Sequence, residues 1–333
     1  MRLQIPDGYK SMLTIKETEV AIKYIKDLFE ATLSRTLNLT RVSAPMFVFP
    51  DTGLNDNLNG IERPVAFNVP DIGKDVEVVH SLAKWKRMAL KQYGFTFGEG
   101  IYTDMNAIRR DEELDNTHSI YVDQWDWEKI ITKEERNVET LKKIVTQIFN
   151  VFKYVEDLVC KTYGVAPTLP EDITFITATE LVKNYPGLSP KERERAVCKE
   201  YKAVFLMQIG DKAGDEDRHD GRAPDYDDWT LNGDMLFYYA PLDTAFEISS
   251  MGIRVDADSM REQVKKADCE ERLELPYHKA VLNGQLPLTI GGGLGQSRIC
   301  MFLLGKIHIG EVQASIWPNE MEEACAKAGV LLL

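Results

Sequence analysis

The sequence predicts an α+β fold in which a mostly antiparallel sheet is flanked by helices. Strand-like segments cluster late in the chain and follow one another closely, which favours local antiparallel pairing. They do not alternate regularly with helices, as the strands of a doubly wound parallel sheet would. No repeat, low-complexity tract or Ser/Pro-rich linker divides the chain. We therefore expect one domain over residues 1–333, with a mainly helical segment over about residues 132–200 packed on its core.

Helices are predicted where apolar residues recur at steps of three and four behind a capping signal. A capping box at Thr14 begins a helix that runs to about Leu37. A second box, at Thr132, is expected to begin a helix over residues 134–163, with Gly164 at its end. Further helices are predicted over residues 81–94, from the Ser189-Pro190 pair onward, over 257–266 and 272–282, and as a last long helix from residue 296.

Strands are predicted where polarity alternates or where short apolar runs stand between turn signals. The stretch 39–49 alternates but contains Pro45, which suits the edge or the start of a strand. Residues 211–229 are strongly acidic and are expected to form a long loop. The other predicted strands lie over residues 62–69, 76–81, 119–130 and 203–210, over 235–255 as two strands around a turn, and over 286–293.

Composition disfavours several classes of protein. The 333 residues are 44% hydrophobic and 28% charged, which is typical of a globular chain with a large core. A net charge of −13 disfavours nucleic acids and anionic membranes as partners. No apolar run approaches ~20 residues, so no membrane span is expected. The five cysteines are scattered without a C-x-x-C pair, which predicts reduced thiols in a cytoplasmic protein.

The stretch TIGGGLGQSR, over residues 289–298, raises the question of a phosphate site. It is not a dinucleotide fingerprint, because Gln296 stands where the third glycine is needed, and a P-loop would have lysine at that position. Glycines at the end of a strand allow another group to approach the backbone closely. Arg298 falls in the first turn of the following helix, where a cation opposes the helix dipole unless it meets an anion. Arg298 is therefore either a phosphate contact or a solvent-exposed arginine.

Residues 106–128 are expected to leave one strand at Arg109, pass through a polar loop and return as a second strand. Arg109 is a candidate for a bidentate phosphate clamp. On the return strand, Gln124 and Asp126 share one face with apolar residues. Polar residues in that position indicate either a binding site or a half-exposed sheet.

The stretch FEISSMGIR, over residues 246–254, is expected to alternate as a strand, with Glu247 and Ser249 on one face and Ser250 on the other. Glu247 and the preceding Asp234 are candidates for a Mg²⁺ site, because this ion takes few carboxylates together with phosphate oxygens. The alternative is that both are ordinary surface acids.

The helix over residues 81–94 carries basic residues on two faces. Lys84 and Arg87 fall on a face that is expected to be solvated. Lys86 instead groups with leucines four positions away on either side. A lysine on a partly apolar face either extends its ammonium to water or meets an anion.

As a set, these stretches resemble the catalytic fold of class II aminoacyl-tRNA synthetases. The stretches similar to its motifs 1, 2 and 3 are LNLTRVSAPMFV, RRDEELDNTHSIYVDQWDWE and IGGGLGQSRICMFLL. A closer resemblance, over nearly the whole chain, is to the ammonia-dependent asparagine synthetase, or aspartate–ammonia ligase, family. It is carried by DNLNG, EVVHSLAKWKR, GEGIYTDMNAIR, HSIYVDQWDWE, RAPDYDDW, LNGD, AFEISSMGIRVDAD and TIGGGLGQSR. The occurrence of all these stretches in one order makes the match specific.

The resemblance implies a single catalytic domain that amidates L-aspartate with ammonia and ATP, through a β-aspartyl-adenylate, with release of AMP and diphosphate. It implies Mg²⁺ as the cofactor, held by Asp234 and Glu247. The residues implied for aspartate are Asp56, Lys86, Gln124, Ser250 and Arg254, and those implied for ATP are Arg109, Glu247, Gly293, Gly295 and Arg298.

Catalytic roles are expected for four residues of this set and its surroundings. The resemblance implies that Arg109 contacts the α-phosphate, with Arg110 as the alternative although the spacing favours Arg109, and that Arg298 contacts the terminal phosphates. The nucleophile must be NH₃ rather than NH₄⁺, so a carboxylate near the acyl carbon is needed to accept a proton. Asp227 and Asp126 are the candidates.

Two other functions remain open on the sequence. An aspartate-adenylating enzyme with a different acceptor would keep the same motifs. A non-enzymatic amino-acid sensor built on the synthetase core would be expected to lose the phosphate arginines or the metal carboxylates, which this chain keeps. A tRNA synthetase is disfavoured by the acidic charge and by the few residues outside the core, which leave no room for an anticodon-reading domain.

Two expectations come from the resemblance alone. The stretch similar to motif 1 normally builds a two-fold interface, which implies a homodimer. Only Thr230 and Leu231 separate DYDDW from NGD, where bacterial members of the family carry a longer loop, so the role of the shortened loop over residues 229–232 stays open while the implied chemistry is unaffected.

Overall fold

A largely antiparallel sheet runs through the molecule, and helices pack on both of its faces. The computed structural model describes residues 3–56, 62–213 and 216–333. Within these ranges the strands are β1 (Leu39–Arg41), β2 (Phe47–Val48), β3 (Ala66–Val69), β4 (Lys74–Val78), β5 (Gly100–Ile108), β6 (Tyr121–Ile130), β7 (Thr174–Thr177), β8 (Ala203–Met207), β9 (Lys212–Ala213), β10 (Glu216–Arg218), β11 (Asp227–Tyr239), β12 (Thr244–Arg254) and β13 (Thr289–Gly295). The α-helices are α1 (Ile15–Leu37), α2 (Ala83–Gln92), α3 (Val138–Tyr163), α4 (Ala178–Asn184), α5 (Pro190–Tyr201), α6 (Ala257–Lys266), α7 (Pro276–Leu282), α8 (Gln296–Leu303) and α9 (Asn319–Lys327).

The main sheet has eight strands over the described residues, in the order β1-β5-β6-β13-β12-β11-β8-β7. The pairs at its two edges, β1–β5 and β7–β8, are parallel, and the pairs between them are antiparallel. β2, β4 and β3 form a separate antiparallel sheet, and β9 pairs with β10. The predicted α+β class, with a mostly antiparallel sheet flanked by helices, is confirmed.

Helix ends follow local capping chemistry. α1 begins at its predicted capping box, in which Thr14 and Glu17 exchange hydrogen bonds. α3 begins later than predicted, because Asn137 caps it and the box at residues 132–135 closes in the preceding loop. Gly164 ends α3 as predicted, in the left-handed conformation at φ 71°.

Several elements differ from the sequence prediction. The sequence does not indicate β7 and α4, which occupy residues 174–184 and bring the chain back to the edge of the main sheet. The acidic stretch 211–229 is not loop throughout, since it contains β9, β10 and the start of β11. The prediction of one last long helix is also wrong, because α8 has only eight residues and α9 is a separate helix further along the chain.

Apolar clusters on the two faces of the sheet leave one strip of it open. On one face, α1, α3 and α8 contribute to the cluster that buries Trp125 and Trp127 of β6, and Phe29 of α1 stacks on Trp125 at 5.2 Å between ring centroids. On the other face, one cluster lies beneath α2, α6 and α7, and another beneath α4 and α5. The strip between those two clusters, formed by β6, β13 and β12, is the floor of a cleft.

All five cysteines, each within the described ranges, carry free thiols, as predicted. Burial raises the pKa of the Cys300 thiol to about 12, so this side chain behaves as a small apolar group. In the part of the chain that the structure describes, no helix has both the length and the apolar character needed to cross a bilayer.

Candidate active site

The cleft has a volume of about 310 Å³, which lies within the range of small-molecule sites. Asp234 stands outside its lining but pairs with the lining residue Ser250 across β11 and β12. Of the stretch DNLNG, only Asp56 lies within the described residues. The sequence-predicted residues that line the cleft are Asp56, Lys86, Arg109, Gln124, Asp126, Asp227, Glu247, Ser250, Arg254, Gly293, Gly295 and Arg298.

The glycines of β13 leave room for side chains from both neighbouring strands. A Cβ on Gly293 would lie 2.4 Å from Gln124 Oε1. A Cβ on Gly291 would lie 2.1 Å from Glu128 Oε2 and 2.6 Å from Arg254 Nη2. The polar side chains of β6 and β12 therefore lie across bare backbone, which only glycine permits at this distance.

Lys86 is buried in the wall of the cleft, with 1% of its surface exposed. Its Nζ donates to the Gly292 carbonyl at 3.1 Å and stands 3.2 Å from Asp126 Oδ2 and 4.0 Å from Glu128 Oε2. Burial lowers the pKa of Lys86, Asp126 opposes that effect, and Arg254 adds to it. The ammonium is thus held between the Gly292 carbonyl and the carboxylates of Asp126 and Glu128.

Arg254 lies in the same group and is 2% exposed. Its Nε and Nη2 form a two-pronged pair with Glu128 at 2.9 and 2.7 Å, and its Nη1 donates to Asp227 Oδ1. Burial opposes the charge of Arg254, but the two carboxylates raise its pKa well above the usual value. Burial also raises the pKa of Asp227 in spite of the arginine, so Asp227 holds a proton more readily than an exposed aspartate does.

Arg109 and Arg298 stand at another part of the cleft, near Glu247. Arg298 Nη1 donates to the backbone carbonyl of Glu247 at 2.9 Å and lies 4.0 Å from its carboxylate. Arg109 Nη1 lies 3.9 Å from Glu112 Oε2. Arg110 is exposed and lies outside the lining, so the structure places Arg109 in the cleft.

Asp234 and Glu247 form a carboxylate pair behind this cationic group. Arg222 donates to Asp234 Oδ2, whereas the buried Oδ1 accepts no hydrogen bond from the residues that the structure describes. Burial, opposed by Arg222 and assisted by the neighbouring carboxylates Glu247 and Asp220, raises the pKa of Asp234 to about 7. The described residues hold no group of three or more His, Cys, Asp and Glu placed for a metal ion. Two carboxylates, one with a bare buried oxygen, fit a divalent cation that also takes phosphate oxygens.

A β-bulge corrects the predicted orientation of residues 246–254. Along two consecutive residues of β11, the paired residue in β12 changes from Ser249 to Glu247, so β12 carries one extra residue. The predicted alternation, which placed Glu247 and Ser250 on opposite faces of the strand, is therefore wrong. Both residues line the cleft together with Arg254.

The prediction that Lys84 and Arg87 are solvated is also wrong, since both are at most 3% exposed. Lys84 Nζ lies 3.0 Å from Asp225 Oδ2, and His278 Nε2 of α7 lies 2.9 Å from the same oxygen. The face of α2 that the helical pattern assigns to water is covered by α7 and by the loop before β11. This contact ties the segment that ends in Asp227 to α2.

The sequence reasoning did not single out three residues of the site. Glu128 is fully buried against Arg254, and it continues the face of β6 that carries the polar residues Gln124 and Asp126, so the period-two pattern could have found it. Tyr226 lines the cleft, and Arg222 holds Asp234. Both lie in an acidic segment without periodicity, which carries no local signal of their contacts.

Solved structures with a similar fold are aminoacyl-tRNA synthetases. The asparaginyl-tRNA synthetase of Pyrococcus horikoshii, complexed with asparaginyl-adenylate, aligns with a TM-score of 0.63 at 14% identity, over 91% of this chain and 70% of that chain. The corresponding enzyme of Entamoeba histolytica, also with asparaginyl-adenylate, aligns with a TM-score of 0.62 at 14% identity, over 90% of this chain and 66% of that chain. This chain therefore spans just under two thirds of the Entamoeba synthetase. The likeness shows the class II synthetase catalytic fold.

Sequence comparison identifies much closer relatives. Proteins named aspartate–ammonia ligase include those of Ruminiclostridium cellulolyticum, 64% identical over 330 residues and 98% of each chain, and Lactobacillus johnsonii, 62% identical over 336 residues and 100% of each chain. The protein of that name from Clostridium perfringens is 61% identical over 334 residues, covering 100% of this chain and 99% of its own. A sequence model of the aspartate-ammonia ligase family matches residues 16–329. The chain belongs to the aspartate–ammonia ligase family.

Proposed function

We propose that this chain is an enzyme that amidates L-aspartate with ammonia and ATP, through a β-aspartyl-adenylate, to give L-asparagine, AMP and diphosphate. One observation carries the proposal. A single cleft contains Lys86 and Arg254, which suit carboxylates, and also Arg109 and Arg298, which suit phosphates, over one glycine floor. Relatives more than 60% identical are named for ligation of aspartate and ammonia.

The chemistry requires activation, because a carboxylate is a poor electrophile. A β-carboxylate oxygen of aspartate attacks the α-phosphorus of ATP, and the bond to the diphosphate oxygen breaks. Ammonia then attacks the acyl carbon, the bond to AMP breaks, and the new amide nitrogen loses a proton. Both steps depend on alignment of the reactants and on neutralisation of phosphate charge, which fixed cations provide. We assign the α-phosphate to Arg109 and the terminal phosphates to Arg298.

The aspartate end of the cleft carries more acids than bases. Lys86 and Arg254 face Asp126, Glu128 and Asp227, all at most 2% exposed. The two cations are assigned to the carboxylates of the substrate. The excess of negative charge suits its α-ammonium group and an incoming ammonium ion.

Asp227 is assigned as the group that takes a proton from ammonium, with Asp126 as the alternative. Burial raises the pKa of Asp227, which brings it closer to the range where a carboxylate accepts a proton near neutral pH. Asp126 instead accepts the Leu82 N–H at 3.2 Å on the same Oδ2 that contacts Lys86, so this oxygen already has two donors. Asp56 and Gln124 are assigned to the α-ammonium and other polar groups of aspartate, and Ser250 lies beside this site.

Asp234 and Glu247 are the residues that would hold Mg²⁺, whose chemistry here is to neutralise charge on the phosphates. Arg298 is already joined to Glu247 by its hydrogen bond to the backbone carbonyl. The proposed phosphate arginine is therefore held beside the carboxylate pair. Gly293 and Gly295 keep the floor beneath the nucleotide free of side chains.

We also propose a cytoplasmic homodimer. Free thiols at all five cysteines are typical of a reducing compartment. Phe47 and Phe67 pack edge to face at 5.6 Å and are 47% and 43% exposed, close to the stretch that resembles motif 1. An exposed aromatic pair of this kind is typical of an interface. Light scattering that gives a monomer mass at micromolar concentration would contradict the dimer.

The test of the reaction is an incubation with aspartate, Mg-ATP and ammonium, followed by quantification of products. We expect equal amounts of asparagine, AMP and diphosphate. Formation of ADP would rule out the adenylate, and asparagine formation with glutamine as efficiently as with ammonium would contradict the choice of ammonia. If no asparagine forms and ATP is consumed only when another amine is added, the acceptor is that amine rather than ammonia.

Lys86→Ala tests the aspartate assignment, and Lys91→Ala on the exposed side of the same helix is its matched control. We expect Lys86→Ala to raise the KM for aspartate and to lower turnover, with little change in the KM for ATP. The control should behave like the unmodified enzyme. An unchanged KM and turnover for aspartate in Lys86→Ala would remove this lysine from the site.

A further inference from the structure

Arg222 is bound to Asp234, one of the two carboxylates that are proposed to hold the metal ion. Its Nη2 donates to Asp234 Oδ2, and its Nη1 donates to the Gly221 carbonyl at 3.0 Å and to Asp220 Oδ2 at 3.4 Å. The Arg222 side chain is 14% exposed and that of Asp234 is 7% exposed. A guanidinium thus stands where the cluster of acids needs a cation.

The need for a cation follows from burial. Asp234 is enclosed next to Glu247 and Asp220, and an ionised carboxylate in such a place is stable only when a positive charge accompanies it. Arg222 supplies that charge to Asp234, and Arg298 Nη1 lies 4.0 Å from Glu247 Oε2. Each of the two proposed metal ligands is therefore accompanied by an arginine of the chain itself.

A divalent cation bound to the bare Oδ1 of Asp234 would lie beside the guanidinium that holds Oδ2 of the same carboxylate. Because like charges repel strongly at contact distances in a partly buried site, a metal ion entering alone must displace the guanidinium or remain weakly bound. A metal ion that enters with ATP brings several negative phosphate oxygens. Those oxygens balance the positive charge of the metal ion. They also offer the planar guanidinium of Arg222 an alternative partner that accepts two hydrogen bonds.

The segment that carries Arg222 is anchored to the rest of the molecule on both sides of this residue. His219 Nε2 contacts Glu194 Oε1 of α5 at 2.9 Å, in a buried pair that anchors the segment just before Arg222. Asp225 is anchored after it by its contacts with Lys84 and His278. The backbone on both sides is thus held, so a change of partner requires only that the long side chain between the anchors exchanges its hydrogen bonds.

We propose that Arg222 is a built-in cation that closes the metal site of the nucleotide-free enzyme and transfers from Asp234 to the phosphates when metal and ATP enter together. This inference rests on the proposed function, because Asp234 and Glu247 are the proposed metal ligands. Arg222 is then a phosphate contact in addition to Arg109 and Arg298.

The test measures Mn²⁺ binding without aspartate or ammonia, from the electron paramagnetic resonance signal of free Mn²⁺. We expect Arg222→Gln to bind Mn²⁺ in the absence of nucleotide roughly 10-fold more tightly than the unmodified enzyme, which corresponds to about 1.4 kcal/mol. The matched control is Arg195→Gln, which breaks an exposed pair with Asp243 and should leave Mn²⁺ binding unchanged. The double variant Arg222→Gln, Asp234→Asn should lose the gain.

Unchanged or weaker Mn²⁺ binding by a folded Arg222→Gln variant would overturn the inference, since it would mean that Arg222 orients Asp234 for the metal. A gain that survives Asp234→Asn would also overturn it. A second measurement needs no variant: the unmodified enzyme should bind Mn²⁺ tightly only with an ATP analogue that cannot be cleaved between the α and β phosphates, measured as loss of free Mn²⁺ beyond that caused by the same analogue without enzyme. Tight binding of Mn²⁺ alone would contradict the proposal. A failure of asparagine synthesis would leave these binding results intact, so the two proposals fail separately.

Discussion

Replacement of Gly293 with alanine tests whether the bare backbone of β13 serves the chemistry of the cleft rather than the folding of the sheet. The new Cβ would lie 2.4 Å from Gln124 Oε1 and 2.9 Å from Asp126 Oδ1. Both distances are shorter than carbon and oxygen tolerate. Both oxygens are at the ends of side chains, so the clash is relieved by turning those side chains rather than by moving strands.

The magnitudes follow from that geometry. Restoring an ordinary contact moves the Gln124 tip by about 1 Å, and a misplacement of that size costs on the order of 10²-fold in rate. Overpacking costs about 1–3 kcal/mol in unfolding free energy, but alanine returns about 0.4–1 kcal/mol by restricting the unfolded chain. Because the side-chain tips can move, we expect a net loss of about 1 kcal/mol or less, together with a fall of about 10²-fold in kcat/KM for aspartate.

Gly292→Ala is the matched control, because the neighbouring glycine faces the core. Its Cβ would lie 2.5 Å from Met251 Cβ and 2.7 Å from the Ser250 carbonyl, which are backbone or near-backbone atoms. We expect a loss of about 3 kcal/mol or more for this variant. Urea unfolding and steady-state kinetics with varied aspartate measure both quantities. Equal destabilisation of the two variants, or full activity of Gly293→Ala, would refute the reasoning.

Three further predictions concern buried charges. Asp225→Asn leaves Lys84 buried without its carboxylate and is expected to cost about 3–5 kcal/mol in urea unfolding; a loss below 1 kcal/mol would show that the pair is unimportant. Burial lowers the pKa of His308 from 6.5 in the unfolded chain to about 4 in the folded one. As the pH drops from 6.5 towards 4, the imidazole is therefore protonated in the unfolded chain before it is protonated in the folded chain, and the free energy of unfolding falls. His308→Asn should remove up to about 3 kcal/mol of that pH dependence in unfolding curves, and an unchanged slope would contradict it. Glu128→Gln keeps the shape of the Arg254 partner without its charge, so the KM for aspartate should rise about 10-fold while that for ATP stays constant.

Local patterns account for the parts of the site that the sequence predicts. β6 keeps a strict period of two, so the placement of Trp125 in the core and of Gln124 and Asp126 in the cleft follows from the order of residues alone. The capping box at Thr14 is equally local. Such features depend on neighbours within four residues, and they need no knowledge of the tertiary fold.

Tertiary contacts account for the errors. The bulge next to Glu247 arises from pairing between β12 and β11, and no residue of the stretch FEISSMGIR announces it. Lys84 is buried because α7, nearly two hundred residues later in the chain, supplies His278 beside the shared carboxylate. The contact of Arg222 with Asp234 likewise joins a segment without periodicity to a strand. Contacts of this kind become visible only when the chain is folded.

The bulge in β12 also constrains how this strand can change. Glu247 and Arg254 are seven positions apart, an odd separation that a regular strand would place on opposite faces. The extra residue of the bulge places both side chains on one face in spite of their odd separation. Deletion of one residue between them would therefore turn Glu247 towards the core. Residues between these two positions can be substituted one at a time, but a residue cannot be inserted or deleted there without moving one of the two side chains to the other face. The number of residues between Glu247 and Arg254 is therefore what keeps both of them on the cleft side of β12.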